Sequence, residues 1–423
     1  MTTASDQNFY TVDPTRQKKV ILSVDGGGMR GAIPIAMLAE LESRTGKTCQ
    51  EMFDMVVGTS TGAIIAVGLA VGYTATELLD IVYRDQLPKA FGEANRGWLA
   101  RILAKLVNRV MPVGEDFLAG LLSNGFKYAY PLEPFQRELV PLLESKGVFK
   151  VGDLTYPTHP ILLVTTKDVR TSDTYFIVNA GRGKGYFQDW PLSGIVAASG
   201  AAPSYFPPVL ARLVDGGVGV YSNPCLAAAV EAMEYIGAVE PGDPSFDPAL
   251  QGFQDGNVIL VSLGTGYVPT NLPEQKVARY KVWDWLRYVI FESMDEAALQ
   301  QVFVTRAIYG RTPDGIQERI DFRRYNPLLT PESVSGELGI PLDGRPNPST
   351  FALNSWREDE VRLMEDIGRR YAEQLPWSRP DTMPWDTVGG HHRPSPRAVF
   401  DENMRNAPVE WTKTPYSAGP RPR

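Results

Sequence analysis

The chain has 423 residues, 43% of them hydrophobic and 22% charged, with a net charge of −7. That is enough apolar material for one large or two ordinary domains. The acidic balance argues against a nucleic-acid binder, whose phosphate contacts need a basic footprint. Two cysteines, Cys49 and Cys225, exclude a disulfide framework and a C-x-x-C metal or redox site.

Residues 1–18 are polar with no apolar signal core and read as an N-terminal extension. "KVILSV" (Lys19–Val24) is apolar and β-branched and predicts a buried strand, followed by three glycines. Helical spacing over Gly31–Gly46 predicts a helix ended by glycine. A second strand is expected at Met52–Gly58, and an apolar helix at Ser60–Val71. A further helix is expected over Thr76–Asp85, capped by Thr74 or Thr76. Strand–helix alternation of this kind implies an α/β fold: a central, mostly parallel sheet flanked by helices.

Farther on, strands are expected at Ile161–Val169, Thr174–Ala180, Arg212–Gly217 and Asn257–Gly266. Helices are expected at Leu192–Ala201, Asn223–Gly237, Trp283–Ile308 and Trp356–Gln374, with the aromatic-rich Val282–Phe291 turned into the core. Residues 19–375 read as the main domain, with 90–149 a variable helical insert or lid. Residues 376–423 hold nine prolines in 48 positions and read as an extended tail, lying on the domain through Trp377, Trp385 and Trp411. The most apolar early stretch, Ala63–Gly72, is half the roughly 20 residues a crossing helix needs. The protein is therefore expected in the cytoplasm, with peripheral membrane contact at most.

The triple glycine of "DGGGMRG" (Asp25–Gly31) matches G-x-G-x-x-G, a weak signal alone. A dinucleotide site would place an acidic residue at the end of the next strand. That strand ends instead in "VVGTSTGA" (Val56–Ala63). Gly58-x-Ser60-x-Gly62 is the pattern of a nucleophile elbow, here in its strand–turn–helix context. Such a turn presents the Ser60 hydroxyl at the carboxyl edge of the sheet, over a helix start that favours negative charge. The neighbouring glycine turn can then aim backbone N–H groups, those of Gly27 and Gly28 first, at the oxygen of an attacked carbonyl. Arg30 supports this turn or the oxyanion, or is an ordinary core-edge arginine. Asp25 reads as a turn stabiliser.

A serine nucleophile needs a base. Of the three histidines, His391 and His392 sit in the proline-rich tail, and His159 reads as a turn residue between two prolines. Asp215, ending a short apolar strand before Gly216 and Gly217, offers a carboxylate at the same sheet edge. To act as base it would need partial desolvation.

"DGGGMRG", "GTSTG" and "DGG" in this order resemble the patatin-like phospholipase family, as do the linking "SGAAPSYFPPV" (Ser199–Val209) and "VSLGTG" (Val261–Gly266). The similarity runs from about Lys19 to Gln374. It implies a modified α/β-hydrolase-like three-layer sandwich and a lipid acyl hydrolase that uses a Ser–Asp dyad through an acyl-enzyme, with no cofactor and no metal. Carried over residue by residue, Ser60 matches the nucleophile and Asp215 the general base. Gly26, Gly27, Gly28 and Arg30 match the oxyanion segment, and Gly31, Gly58, Gly62, Gly216 and Gly217 are motif glycines. The alternatives are a catalytically silent storage or regulatory relative, and a nucleotide binder, which lacks a Walker lysine here.

A lipid substrate at a membrane surface is the expected partner. Asn95–Met111 has an apolar stripe with Trp98, and Arg101, Lys105 and Arg109 on other sides with no acidic residue among them. This patterning suits anionic lipid or a lid packed on the domain.

Overall fold

The computed structural model describes residues 18–92, 124, 127–269, 272–310 and 319–375. The basic helix expected at Asn95–Met111, including Trp98, Arg101, Lys105 and Arg109, and the tail from residue 376 lie outside the described residues, as do His391 and His392.

In chain order the strands are β1 (Lys19–Val24), β2 (Met55–Gly58), β3 (Ile161–Asp168), β4 (Asp173–Val178), β5 (Leu213–Asp215), β6 (Val258–Leu263) and β7 (Ile320–Tyr325). The principal helices are α1 (Ala32–Thr45), α2 (Thr61–Ala70), α3 (residues 75–92), α4 (Leu132–Glu144), α5 (Leu192–Ser199), α6 (Cys225–Val230, continuing to residue 236), α7 (Val282–Tyr309) and α8 (Glu358–Gln374). Thr74 caps α3, its side chain accepting from the Glu77 N–H while Glu77 reaches back to the Thr74 N–H.

The sheet order is β4-β3-β2-β1-β6-β7, with β5 also paired to β3. β1, β2, β3, β6 and β7 run parallel, as the strand–helix alternation predicts. β4 and β5 run antiparallel to β3. Only four residues separate β3 from β4, too few for the crossover that a parallel partner requires. The chain leaves β1 toward β2 on one side, while β6 lies on the other. β1 is thus the point where strand order reverses, and ligands of open α/β sheets gather at the carboxyl ends there.

Alternation along β1 explains the layers. Val20, Leu22 and Val24 face a core built with α1, α2, α5 and α8. Ile21 faces a second core built with Cys225, Ala228 and Ala229 of α6 and Val302 and Tyr309 of α7. The result is helices, sheet, helices. Among the described residues no helix is long and apolar enough to cross a membrane.

Two features depart from the sequence reading. β7, "IDFRRY", is not among the expected strands, because its buried Arg323 and Arg324 leave it without an apolar run. At the start of α7, Val282, Trp285 and Tyr288 are exposed rather than turned into the core, whereas Val302 and Tyr309 farther along pack on the sheet.

Candidate active site

The elbow at the end of β2 is made by two close approaches. A Cβ on Gly58 would stand 2.0 Å from the Gly62 carbonyl oxygen, and one on Gly62 would stand 2.2 Å from that of Val24. No larger residue fits at either point. Ser60 sits between them at φ 57 and ψ −122, a region costly for a residue with a Cβ, by about 1–3 kcal/mol. The strain is held by neighbours. The Ser60 N–H donates to Ser199 Oγ (2.8 Å) at the end of α5. The Thr59 hydroxyl joins Thr165 Oγ1 and donates to the Tyr221 carbonyl, both at 2.7 Å.

β2 stops at Gly58, level with Val164 of β3. β3 runs on to Asp168 with β4 on its far side, and β5 takes the edge that β2 vacates, in the opposite direction. Asp215 therefore pairs with Thr166, two residues past the level of Gly58, which is the level of Ser60. The Ser60 side chain lies close enough to the Asp215 carboxylate to favour its ionised form, and the Gly217 N–H donates to its Oδ1 (2.8 Å). Asp215 is 4% exposed. Burial pushes its carboxyl up to about 6, with nearby Ser60 and the Gly217 N–H holding it down in part.

The glycine turn after β1 is tied at both ends. The Gly26 N–H donates to the Ser222 carbonyl (2.8 Å), and the Met29 N–H to that of Leu353 (2.8 Å). Gly28 has φ +58, and a Cβ there would stand 2.2 Å from the Leu353 carbonyl oxygen. The Arg30 N–H donates to the Gly27 carbonyl (3.2 Å). Among the described residues, the N–H groups of Gly27, Gly28 and Thr61 face no acceptor. The N–H of Gly26 is taken, so this residue serves close approach: its Cβ would stand 3.2 Å from that of Ser60. Arg30 keeps its Nε buried with no partner. Gly31 packs on Thr61 and Tyr83, and Gly216 on Thr165.

Beneath the turn, Asp25 is clamped by both terminal nitrogens of Arg324, which also donates to Ser262 Oγ (2.9 Å). His159 takes no part. It precedes Ile161, which is level with Met55, so it lies at the amino edge of the sheet, about 20 Å from Ser60 by strand rise. It closes a turn with Thr155 instead. Among the described residues no group of three or more His, Cys, Asp or Glu side chains is arranged to hold a metal ion.

Ser199, Thr61 and Arg324 went unassigned in the sequence. Thr61 carried a signal, as the residue after an elbow serine at a helix start. Ser199 stood in a quoted motif whose role spacing does not reveal, and Arg324 in a strand that the apolar pattern misses.

A carboxylate, a strained hydroxyl and unengaged amides thus meet at the carboxyl edge of the sheet. The family model for patatin-like phospholipase matches residues 22–229, a span that contains all of them except Arg324. Residues 22–229 form a patatin-like phospholipase domain. Phospholipase A I of Arabidopsis thaliana is 38% identical over 395 residues, covering 84% of this chain and 28% of the plant protein. Patatin-like protein 2 of Arabidopsis thaliana is 27% identical over 63% of this chain and 65% of its own length. The cUMP-AMP-activated phospholipase of Escherichia coli is 33% identical over 31% of this chain and 42% of its own. The patatin-like chain thus spans less than two thirds of the length of each. VipD of Legionella pneumophila overlaps 82% of this chain and 67% of its own at 14% identity and a TM-score of 0.34, too loosely for sites to be compared.

Proposed function

We propose that the protein is a serine lipid acyl hydrolase that cleaves fatty-acyl esters of phospholipids or related lipids. The observation that carries this reading is the juxtaposition of Ser60, on its strained turn, with the buried carboxylate of Asp215 at the same level of the sheet edge. The patatin-like phospholipase domain and relatives named as phospholipases support the substrate class.

Ser60 Oγ attacks the ester carbonyl carbon as its proton passes to Asp215. The tetrahedral oxyanion accepts from the N–H groups of Gly27 and Gly28. One such donor typically contributes about 10²–10³ in rate. The carbonyl re-forms, the alcohol or lysolipid leaves with the proton from Asp215, and Ser60 holds the acyl group. A water then loses its proton to Asp215, attacks the acyl-enzyme, and the fatty acid leaves as Ser60 recovers its proton. Ser199 fixes the backbone of the nucleophile, and Asp25 with Arg324 fixes the donor turn.

The test is product analysis by mass spectrometry after incubation with mixed lipids. Wild-type protein should release fatty acid and a lysolipid or alcohol, and Ser60→Ala should release none. Equal products from both, or none from either across phospholipids and neutral lipids, would sink the reading and favour a silent relative.

A further inference from the structure

α7 passes over the dyad and ends in an unusual surface. Met294 Cε lies 3.1 Å from where a Cβ on Gly217 would stand, beside Asp215. Nine residues toward the amino end, a rise of about 13 Å, Trp285 is 47% exposed, with Val282 71% and Tyr288 40% exposed. The rings form one group, Trp285 meeting Tyr280 at 5.2 Å and Tyr288 at 6.0 Å, both edge to face. Exposed Val218 and Val220 follow Asp215 within five residues.

The charge beside this patch runs against that of the chain. Lys276, Arg279 and Lys281 are exposed just before the aromatic group. They outnumber Glu274 and Asp284 over residues 274–285 of a chain whose net charge is −7. Exposed aromatics with polar tips suit a boundary that is apolar on one side and wet on the other. Adjacent lysine and arginine attract anionic headgroups.

We propose that the start of α7, through Val282, Trp285 and Tyr288 with Lys276, Arg279 and Lys281, docks on an anionic lipid surface and brings the Ser60–Asp215 edge to it. This rests on the reading of the protein as a lipid hydrolase, and supplies the interface from which that site draws its substrate. The rings enter the headgroup boundary, the basic side chains stay among the phosphates, and the helix carries the dyad within about 15 Å of the lipid.

The test uses the full chain carrying Ser60→Ala, so that partitioning is read without turnover. It is sedimented with vesicles of phosphatidylcholine alone, or with about one third phosphatidylserine. The expected result is binding to the anionic vesicles only, weakened about tenfold or more by Trp285→Ala with Tyr288→Ala. Lys276→Glu with Arg279→Glu and Lys281→Glu should independently remove it, with circular dichroism and unfolding midpoint unchanged in both variants. The proposal is overturned if the parent binds neither vesicle or both alike, or if both variants bind as the parent does. A dimer that Trp285→Ala dissociates, with no vesicle binding, would assign the patch to a second copy instead. Hydrolysis of a soluble short-chain ester by the chain with Ser60 intact is measured separately, so failure of the hydrolase reading stays distinct from failure of docking.

Discussion

Asp215 meets Ser60 because their strands share one edge of β3 from opposite ends. β2 leaves that edge at Gly58, and β5 enters it at Asp168 and runs back to Thr166. Hydroxyl and carboxylate are thus set by sheet register rather than by a flexible loop. A shift of one residue in β5 would turn Asp215 to the other face of the sheet. The pair therefore depends on main-chain pairing that is independent of any substrate.

Burial of Asp215 gives the pH dependence a definite sign. Its carboxyl lies near 6, above the ordinary 3.8. In the proposed mechanism the base is the ionised form, so kcat/KM on an ester that does not itself titrate should fall with acid below about pH 6. Stability runs the other way. Between pH 3.8 and about 6 the native state holds a proton that the unfolded state has lost, so folding weakens as pH rises through that window. Asp215→Asn should abolish turnover and raise stability by about 1–3 kcal/mol at pH 7, with no gain at pH values below the unfolded carboxyl range. Urea unfolding at both pH values, beside an esterase assay, checks each half.

Ser199 holds Ser60, the proposed nucleophile, through the main chain. Its hydroxyl accepts from the Ser60 N–H, and Ser199→Ala would leave that donor unpaired, a loss of about 1–3 kcal/mol. Kinetics should show kcat reduced about 10-fold or more, with KM and the acid limb near pH 6 unchanged, since the residue touches neither substrate nor Asp215. A shifted limb or a raised KM would assign it another role.

The frame of this site could be read in the residues. An apolar run into "DGGG", and another into "GTSTG", fix two strand–turn–helix units, and glycine at positions 58 and 62 signals crowding that the structure measures at 2.0 and 2.2 Å. The sense of β5 was not legible, because three residues of strand carry no mark of direction. Arg324 was hidden for a different reason. A buried arginine makes a strand look polar, and its partner Asp25 lies 299 residues away. Exposed Trp285 and Tyr288 of α7 mislead similarly, since Trp and Tyr at helical spacing look the same whether they face a core or the outside.

The elbow strain can be measured by changing Ser60 alone. At φ 57 and ψ −122 a Cβ is disfavoured and glycine is not. Ser60→Gly and Ser60→Ala both remove the hydroxyl, so their difference isolates the backbone. Glycine loses more entropy on folding, by roughly 0.5–1 kcal/mol, against about 1–3 kcal/mol of relieved strain. Ser60→Gly should therefore be the more stable of the two by about 1 kcal/mol in chemical unfolding. If Ser60→Ala is equally stable or more so, the turn is not strained.

Asp25 and Arg324 join the donor turn to β7 across the intervening β6. Both are buried, with Arg324 gripping the carboxylate through two nitrogens and Ser262 through one. Removing one charge leaves the other without compensation in the interior, and Arg324→Ala should cost about 3–5 kcal/mol. Replacing both, as Asp25→Asn with Arg324→Met, removes the stranded charge and should recover most of that loss. Catalysis should not recover with it. The turn carrying Gly27 and Gly28 starts one residue after Asp25, and without the clamp its amides lose their fixed aim, so kcat should stay about 10-fold or more below wild type. Calorimetric unfolding and steady-state kinetics on the single and double variants separate the two effects. A double variant with wild-type kcat would show that the pair only supports folding.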